Sequence, residues 1–229
     1  MKQSLIDEYL NSTIKADETF QFHCTQCGKC CLNREDIILT PKDLFRISQK
    51  LTMLPEKVIR QYCDAYIGRN SHLPVVRLNP QGQLKRCPLL SGNQCSVHDA
   101  KPAVCAIFPI GRFIRMEKGS HSISPKIEFI CQNPGCGDNS ETHTVQDWLS
   151  SFEIEVDDWF FVKWTELLAK LSMAIQKTEG ILDEMEMRRL WNHCFKYLYL
   201  NYNPYQPFKA QFQSNRNNLL KLAEMFSIV

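Results

Sequence analysis

Apolar residues recur at helical spacing along the last third of the chain. They predict a helix over residues 156–178, which Gly180 ends, and a second helix over about 182–200. The Pro-containing stretch 203–207 marks a turn before one more helix. Because each of these helices carries a broad apolar face, we expect them to pack together as a helical bundle in the C-terminal part of the protein.

Two helix starts precede this region. The stretch 40–43 (TPKD) is typical of a helix N-terminus and predicts a helix that ends at about Leu51. Another helix begins at Pro55, and its apolar spacing places Cys63 and Tyr66 on one buried stripe. Since free cysteines are often buried, we interpret Cys63 as a packing residue.

Only a few segments alternate as strands do. A strand is expected over 73–78, and 112–116 with 124–130 forms a small hairpin. Cysteine and proline become rare near residue 140. The fold class we expect is therefore mainly α, with an irregular, metal-stapled N-terminal region in 1–140 and the helical bundle in 141–229.

Composition narrows the function classes. The chain has 229 residues, with 27 Lys and Arg against 25 Asp and Glu, so its formal charge is +2. A net charge so near zero gives no strong positive potential that would attract nucleic acid. No stretch reaches the roughly 18 consecutive apolar residues of a membrane helix. Acidic residues also occupy the N-terminus, where a secretory signal would be apolar. We therefore expect a cytoplasmic protein that binds neither nucleic acid nor membrane.

Eleven cysteines are the unusual feature, and four of them lie within residues 24–31 as C-x2-C-x2-C-C. In a reducing cytoplasm such thiols are more often metal ligands than disulfides. The first three spacings copy the bacterial ferredoxin run, but Arg34 stands at its fourth position, so another ligand must come from elsewhere. Cys30 and Cys31 are adjacent and their side chains diverge, which predicts two metal centres or one large cluster.

Further thiols follow at wide intervals, at Cys87, Cys95, Cys105, Cys131 and Cys136. His23 and His98 neighbour cysteines and are candidates for ligands or for hydrogen-bond donors to them. Cys194 falls on the apolar face of a predicted helix, so we interpret it as packing.

The cysteines lie within longer motifs, which read Phe22 to Cys31, Leu39 to Leu44, Cys87 to Leu90, Cys95 to Cys105 with Phe108-Pro109, and Cys131 to Gly137. Together they resemble the cysteine-cluster family named for its CxxCxxCC motif (YkgJ-type), whose members are described as zinc- or iron-chelating domains. The resemblance covers about residues 20–140. Lys101 and His98 stand where the family usually has Arg and Tyr.

The resemblance implies a set of metal ligands, which are Cys24, Cys27, Cys30, Cys31, Cys87, Cys95, Cys105 and one or both of Cys131 and Cys136. All-thiolate coordination suits zinc and iron–sulfur clusters alike. Zinc sites usually show two C-x2-C pairs. Here one dense cysteine cluster at residues 24–31, called the knuckle below, precedes single cysteines at wide intervals. This spacing favours an iron–sulfur cluster of the 4Fe–4S type, with zinc as the alternative.

Three functions remain open. The first is an iron–sulfur protein that transfers electrons or assists the modification of a protein substrate, with catalytic residues unknown. The second is a zinc-stapled module whose helical half, residues 144–229, binds a partner protein. The third follows from the cysteine motif shared with flagellin lysine N-methylase, which implies methyl transfer to protein lysines.

Overall fold

The computed structural model describes residues 13–118, 123–133 and 135–227. It is 44% helical and 23% strand, and its described residues form nine strands and seven α-helices. The expected class, mainly α with an irregular N-terminal region, is therefore wrong. Several of the missed strands are short or polar, and such strands form because another part of the chain pairs with them.

The strands are β1 (Thr13–Ile14), β2 (Thr19–His23), β3 (Cys63–Ile67), β4 (Pro74–Leu78), β5 (Leu90–Ser91), β6 (Gln94–Cys95), β7 (Ile110–Lys118), β8 (Ile123–Cys131) and β9 (Asp138–Thr144). Strands β1, β8 and β7 form one sheet in that order, while β2–β9, β3–β4 and β5–β6 are two-stranded. The predicted hairpin is confirmed as β7 and β8, whose antiparallel register runs from Ile110 opposite Cys131. Part of the expected connecting turn, residues 119–122, lies outside the described residues.

The helices are α1 (Pro41–Leu51), α2 (Pro55–Tyr62), α3 (Ala103–Ala106), α4 (Val145–Ser150), α5 (Trp159–Thr178), α6 (Glu184–Phe195) and α7 (Phe208–Ser227). Two 3-10 turns occur at Lys29–Cys31 and His98–Ala100, and a π-helical segment, Lys196–Leu200, continues α6. The helices that the sequence predicted from residue 156 onward are thus confirmed to within a few residues at each end.

The start of α1 is the one that the sequence indicated. The Thr40 hydroxyl accepts a hydrogen bond from the Asp43 N–H (3.2 Å), and the Asp43 carboxylate accepts one from the Thr40 N–H (2.9 Å). This reciprocal pair satisfies two amides that have no partner within the helix.

The predicted continuation of α2 through Cys63 is wrong. The helix ends at Tyr62, and the chain turns into β3, which pairs with β4 so that Cys63 lies opposite Leu78. Cys63 and Tyr66 therefore lie in a strand, although their spacing is that of a helix. Tyr66 is 42% exposed, whereas burial still raises the pKa of the Cys63 thiol to about 12.

Contacts divide the chain into two compact units. The first contains residues up to Cys30, Gly92–Gln94 and Ala103–Val162, and the second contains Cys31–Ser91, Cys95–Pro102 and the chain from Lys163 onward. Residues 138–144, where we placed a domain boundary, form strand β9. The division at residue 140 stays a prediction, because contacts alone do not test which part folds independently.

The core of the first unit is built around the two-stranded ribbon of β2 and β9. Strand β2 alternates exposed and buried side chains, so that Phe20 and Phe22 both enter the core. Trp148 meets each of these phenylalanines edge to face, and its indole N–H donates to the Ile107 carbonyl (2.9 Å). This hydrogen bond satisfies the polar end of the indole within an otherwise apolar cluster.

The second unit buries the apolar faces of its longer helices. Its fully buried side chains include Leu44 on α1, Leu171 on α5 and Phe212 on α7, together with Cys194 on α6. Cys194 is a packing residue, as predicted, and burial raises its thiol pKa to about 12. Within the described residues, no helix combines the length and the apolar character that crossing a membrane requires.

A buried ion pair joins the hairpin to the start of α5 within the first unit. The Arg112 and Asp158 side chains are less than a tenth exposed, and a guanidinium nitrogen of Arg112 lies 2.9 Å from Asp158 Oδ2. The other carboxylate oxygen accepts the Phe160 and Phe161 N–H groups at the helix start, and the Arg112 guanidinium lies 4.1 Å from the Phe161 ring centroid. One carboxylate therefore neutralises a buried cation and caps a helix.

We expect Asp158→Ala to lower the free energy of unfolding by about 3–5 kcal/mol, because it leaves a guanidinium buried without its counter-charge. Chemical denaturation followed by circular dichroism measures this. The control is Glu117→Ala, since Glu117 and Lys126 form a half-exposed pair (3.6 Å) on the same hairpin. That change should cost at most about 1 kcal/mol; equal losses from both variants would contradict the assignment.

Cys63 and Cys194 should resist alkylation in the folded protein. Their thiol pKa values are raised, so the reactive thiolate forms only at a higher pH than it does in the unfolded chain. At about pH 8, close to the ordinary cysteine pKa, iodoacetamide should leave both unmodified until a denaturant is added. Peptide mass spectrometry reads the outcome, and rapid labelling of either residue in the native protein would show that it is not buried as described.

Candidate metal centre

The β2–β9 ribbon brings two distant cysteine segments to the same place in the first unit. Its strands are antiparallel, and His23 at the end of β2 lies opposite Asp138 at the start of β9. Cys24 directly follows His23, and Cys136 precedes Asp138 by two residues. The knuckle that begins at Cys24 and the loop that carries Cys136 therefore leave the ribbon at the same end.

Local backbone geometry lets these two segments approach closely. Gly28 has φ +73°, and a Cβ there would lie 3.3 Å from the Asn93 carbonyl oxygen. Gly137 has φ +71°, and a Cβ there would lie only 2.5 Å from the His23 carbonyl oxygen. Glycine is favoured at both positions because other residues would be strained at this positive φ, and at Gly137 a side chain would also collide with the His23 backbone.

The thiols of the knuckle and of the loop interact electrostatically. A hydrogen bond from the Lys29 backbone lowers the pKa of the Cys27 thiol, and the Gly137 backbone and the Thr25 hydroxyl lower it further. The pKa of Cys136 is raised, first by burial and then by the neighbouring thiols of Cys30, Cys27 and Cys24. Four sulfur atoms from two segments thus lie within electrostatic range of one another.

This set fits a metal centre in its chemistry. Cys24, Cys27 and Cys30 are exposed and Cys136 is half-buried, so metal and solvent can reach them. Amide donors directed at a sulfur favour the thiolate, which is the form that binds metal. Across residues 13–118, 123–133 and 135–227, however, no three His, Cys, Asp or Glu side chains converge at the spacing of a single bound ion.

The first unit contains two more of the cysteines named in the sequence analysis. Cys105 is half-buried on the short helix α3, and Cys131 is exposed at the end of β8, where it pairs with Ile110. The helix that carries Cys105 begins at Ala103 and has only four residues. Cys131 ends β8, and Cys136 follows five residues later, before β9 begins at Asp138.

The other predicted ligands belong to the second unit. The Cys87 N–H donates to the Cys31 carbonyl (2.8 Å), so these two residues, 56 positions apart, are neighbours. Cys95 lies on β6, and all three residues are half-buried. The adjacent Cys30 and Cys31 therefore fall into different units.

Sequence reasoning missed an acidic and histidine group on the ribbon beside the knuckle. His23 Nδ1 lies 3.3 Å from Asp138 Oδ1, and Glu141 lies within 4 Å of the rings of both His23 and His143. His143 Nε2 also lies 2.9 Å from the Phe22 carbonyl oxygen. These contacts orient His23, which we had considered as a ligand or a hydrogen-bond donor. The polar sequence of β9 shows no alternation that predicts them.

The comparisons with known proteins agree with this chemistry. Residues 23–136 match a family model named CxxCxxCC and described as a "putative zinc- or iron-chelating domain". No curated protein and no solved structure matched the chain. The matched range begins one residue before the first cysteine of the knuckle and ends at Cys136, so it includes every cysteine that we had considered as a ligand. The chain belongs, through these residues, to the CxxCxxCC family of cysteine-cluster proteins.

Proposed function

We propose that Cys24, Cys27, Cys30 and Cys136 hold an iron–sulfur cluster, and that the protein transfers electrons or assists the modification of a protein substrate. The observation that carries the proposal is the position of Cys136, which lies close to the thiols of Cys24, Cys27 and Cys30. The knuckle has the first three spacings of a ferredoxin run and lacks its fourth cysteine. Cys136 supplies the missing ligand from a remote loop.

The spacing of the thiols supports iron–sulfur over zinc. Structural zinc sites usually combine two C-x2-C pairs, whereas three close cysteines with one distant partner are typical of cubane clusters. When bound, the cluster would supply one-electron chemistry. The chain itself contributes amide hydrogen bonds to Cys27 and the exposure of Cys24, Cys27 and Cys30, both of which adjust a reduction potential.

Cys31, Cys87 and Cys95 are candidates for a second centre in the second unit. Cys105 and Cys131 belong to the first unit and stay candidate ligands there. A protein partner or substrate stays a prediction, and so does the lysine methyl transfer that the cysteine motif implies.

One observation favours the zinc-stapled alternative. Around Cys87 and Cys95, the regular elements are very short, since β5 and β6 have two residues each. Segments with so little regular structure often depend on a bound metal for their stability. In that case the protein would bind a partner without catalysing a reaction.

Metal analysis distinguishes the two proposals. Protein purified anaerobically without added metal should contain iron with equimolar acid-labile sulfide, and should absorb broadly near roughly 400 nm, as thiolate-bound clusters do. Elemental analysis, sulfide assay and absorption spectra measure this. A colourless protein with zinc and no sulfide would refute the iron–sulfur proposal and favour the zinc-stapled alternative. Removal of the zinc by a chelator should then unfold the cysteine-rich segments and lower the far-ultraviolet circular dichroism.

Cys136→Ala tests the ligand set. We expect it to lose the iron and sulfide of the first centre, because three thiolates would remain where four are needed. Cys63→Ala is the matched control, since Cys63 is half-buried on β3, outside the thiol group, and it should keep the full iron content. Circular dichroism of both variants before cluster loading separates ligand loss from misfolding. Full iron in Cys136→Ala would exclude Cys136 as a ligand.

A further inference from the structure

The β2–β9 ribbon contains a bulge next to the knuckle. Residues 19–21 pair with residues 142–144 in a regular antiparallel register. The next pair is His23 with Asp138, so β2 contributes only Phe22 to the interval between these pairs, whereas β9 contributes three residues. Bulges are over-represented next to active sites, where they change the direction of a side chain or end the pairing of two strands.

This bulge decides how far the Cys136 loop reaches toward the knuckle. If the regular register continued, His23 would lie opposite Ser140. With the bulge, His23 lies opposite Asp138, which is two residues further along β9 toward Cys136. A strand advances about 3.3 Å per residue, so the bulge brings Cys136 about 7 Å closer to the position opposite His23. Since a metal–thiolate bond is only about 2.3 Å long, a regular ladder would leave Cys136 too far from the knuckle thiols to share a metal site with them.

The His143 side chain joins the two strands at the bulge. Its Nε2 atom lies 2.9 Å from the Phe22 carbonyl oxygen and 3.4 Å from Glu141 Oε2. A carbonyl and an ionised carboxylate accept hydrogen bonds and cannot donate them, so we assign the hydrogen to Nε2, which donates it. Phe22 and Glu141 lie on opposite strands, in the interval where the regular pairing is interrupted. The imidazole therefore supplies a link between the strands that the ladder does not provide there.

Aromatic side chains of the core hold the imidazole ring in place. The His143 side chain is only 22% exposed, and its ring centroid lies 4.8 Å from that of Trp148 and 5.8 Å from that of Phe20. Trp148 is fixed in turn by its hydrogen bond to the Ile107 carbonyl. The ring thus has two separable roles, since its faces and edges pack in the core while its Nε2–H group donates to the bulge.

We propose that His143 is a positioning residue of the metal centre. Its Nε2–H group donates to the Phe22 carbonyl and holds the bulge in the register that brings the Cys136 loop to the knuckle. His143 acts through the backbone and is not itself a ligand. The inference rests on the ligand set proposed above, but it holds for an iron–sulfur cluster and for zinc alike, because either one requires the four thiols to be brought together.

Two substitutions separate the donor from the ring. His143→Phe keeps an aromatic ring against Trp148 but removes the N–H group, whereas His143→Gln keeps an N–H donor and removes the ring. We expect His143→Phe to lose the iron and sulfide of the first centre and His143→Gln to retain them. In the metal-free full chain, dibromobimane, which joins neighbouring thiols, should cross-link Cys27 to Cys136 at least about fivefold less in His143→Phe than in the wild type, as the loss of one hydrogen bond predicts. Peptide mass spectrometry locates the cross-links.

Deletion of Asn139 and Ser140 serves as a rescue. It makes the pair of His23 with Asp138 the regular continuation of the register, so that no bulge has to be held. In the His143→Phe background, the deletion should therefore restore the cross-link between Cys27 and Cys136. Circular dichroism before cluster loading confirms that the variants are folded.

The proposal is overturned if His143→Phe keeps the wild-type iron content and cross-linking, if His143→Gln loses both as well, or if the deletion does not restore the cross-link. Wild-type protein that contains no iron but shows the expected cross-linking in each variant would instead refute the iron–sulfur proposal and support the role of His143.

Discussion

The antiparallel pairing of β2 with β9 is the constraint on which the proposed first metal centre depends. Phe20 and Phe22 are almost fully buried on one face of β2, and a slip of one residue would turn both of them to solvent. The register of the ribbon is therefore set by hydrophobic burial. Between Gln21 and His23 the register shifts, and beyond this irregularity His23 lies opposite Asp138, beside the knuckle and the Cys136 loop. Core packing thus fixes the body of the ribbon, and the irregularity at its end decides which residue of β9 pairs with His23.

Two glycines, Gly28 and Gly137, have positive φ in the segments that carry the thiols. At Gly137 the loop passes so close to the His23 carbonyl that a side chain would collide with it, and at Gly28 the positive φ of +73° would strain any other residue. Close approach also lets backbone N–H groups of Lys29 and Gly137 reach the Cys27 sulfur. The chain thus lowers the cost of gathering several thiolates, because amide dipoles compensate part of their negative charge.

The second unit follows a different principle, in which long amphipathic helices supply most of the core. Its irregular feature is the π-helical segment Lys196–Leu200, which directs Asn201 toward Asn215 on α7. Asn203 and Pro204 follow this segment, and the chain leaves the helix there because proline disfavours helical backbone at the residue before it. The next helix, α7, begins at Phe208.

Local sequence alone determined the elements whose signals are local. The capped start of α1 at Thr40, the hairpin of β7 and β8, and the long helices after residue 156 follow from capping chemistry and from periodicity, which act over a few residues. The cysteine spacing likewise indicated metal-binding chemistry, because ligand spacing is a property of the chain itself. The family of the protein followed from the same residues.

Tertiary structure decided the rest. Strand β9 (DNSETHT) is polar throughout, so only its pairing with β2 makes it a strand, and no local pattern predicts that partner. Cys63 lies in β3 and not in a helix, because the chain pairs there with β4. Which distant cysteine joins the knuckle could not be read from spacing either. It depends on contacts between residues more than 100 positions apart, and those contacts exist only once the core has formed.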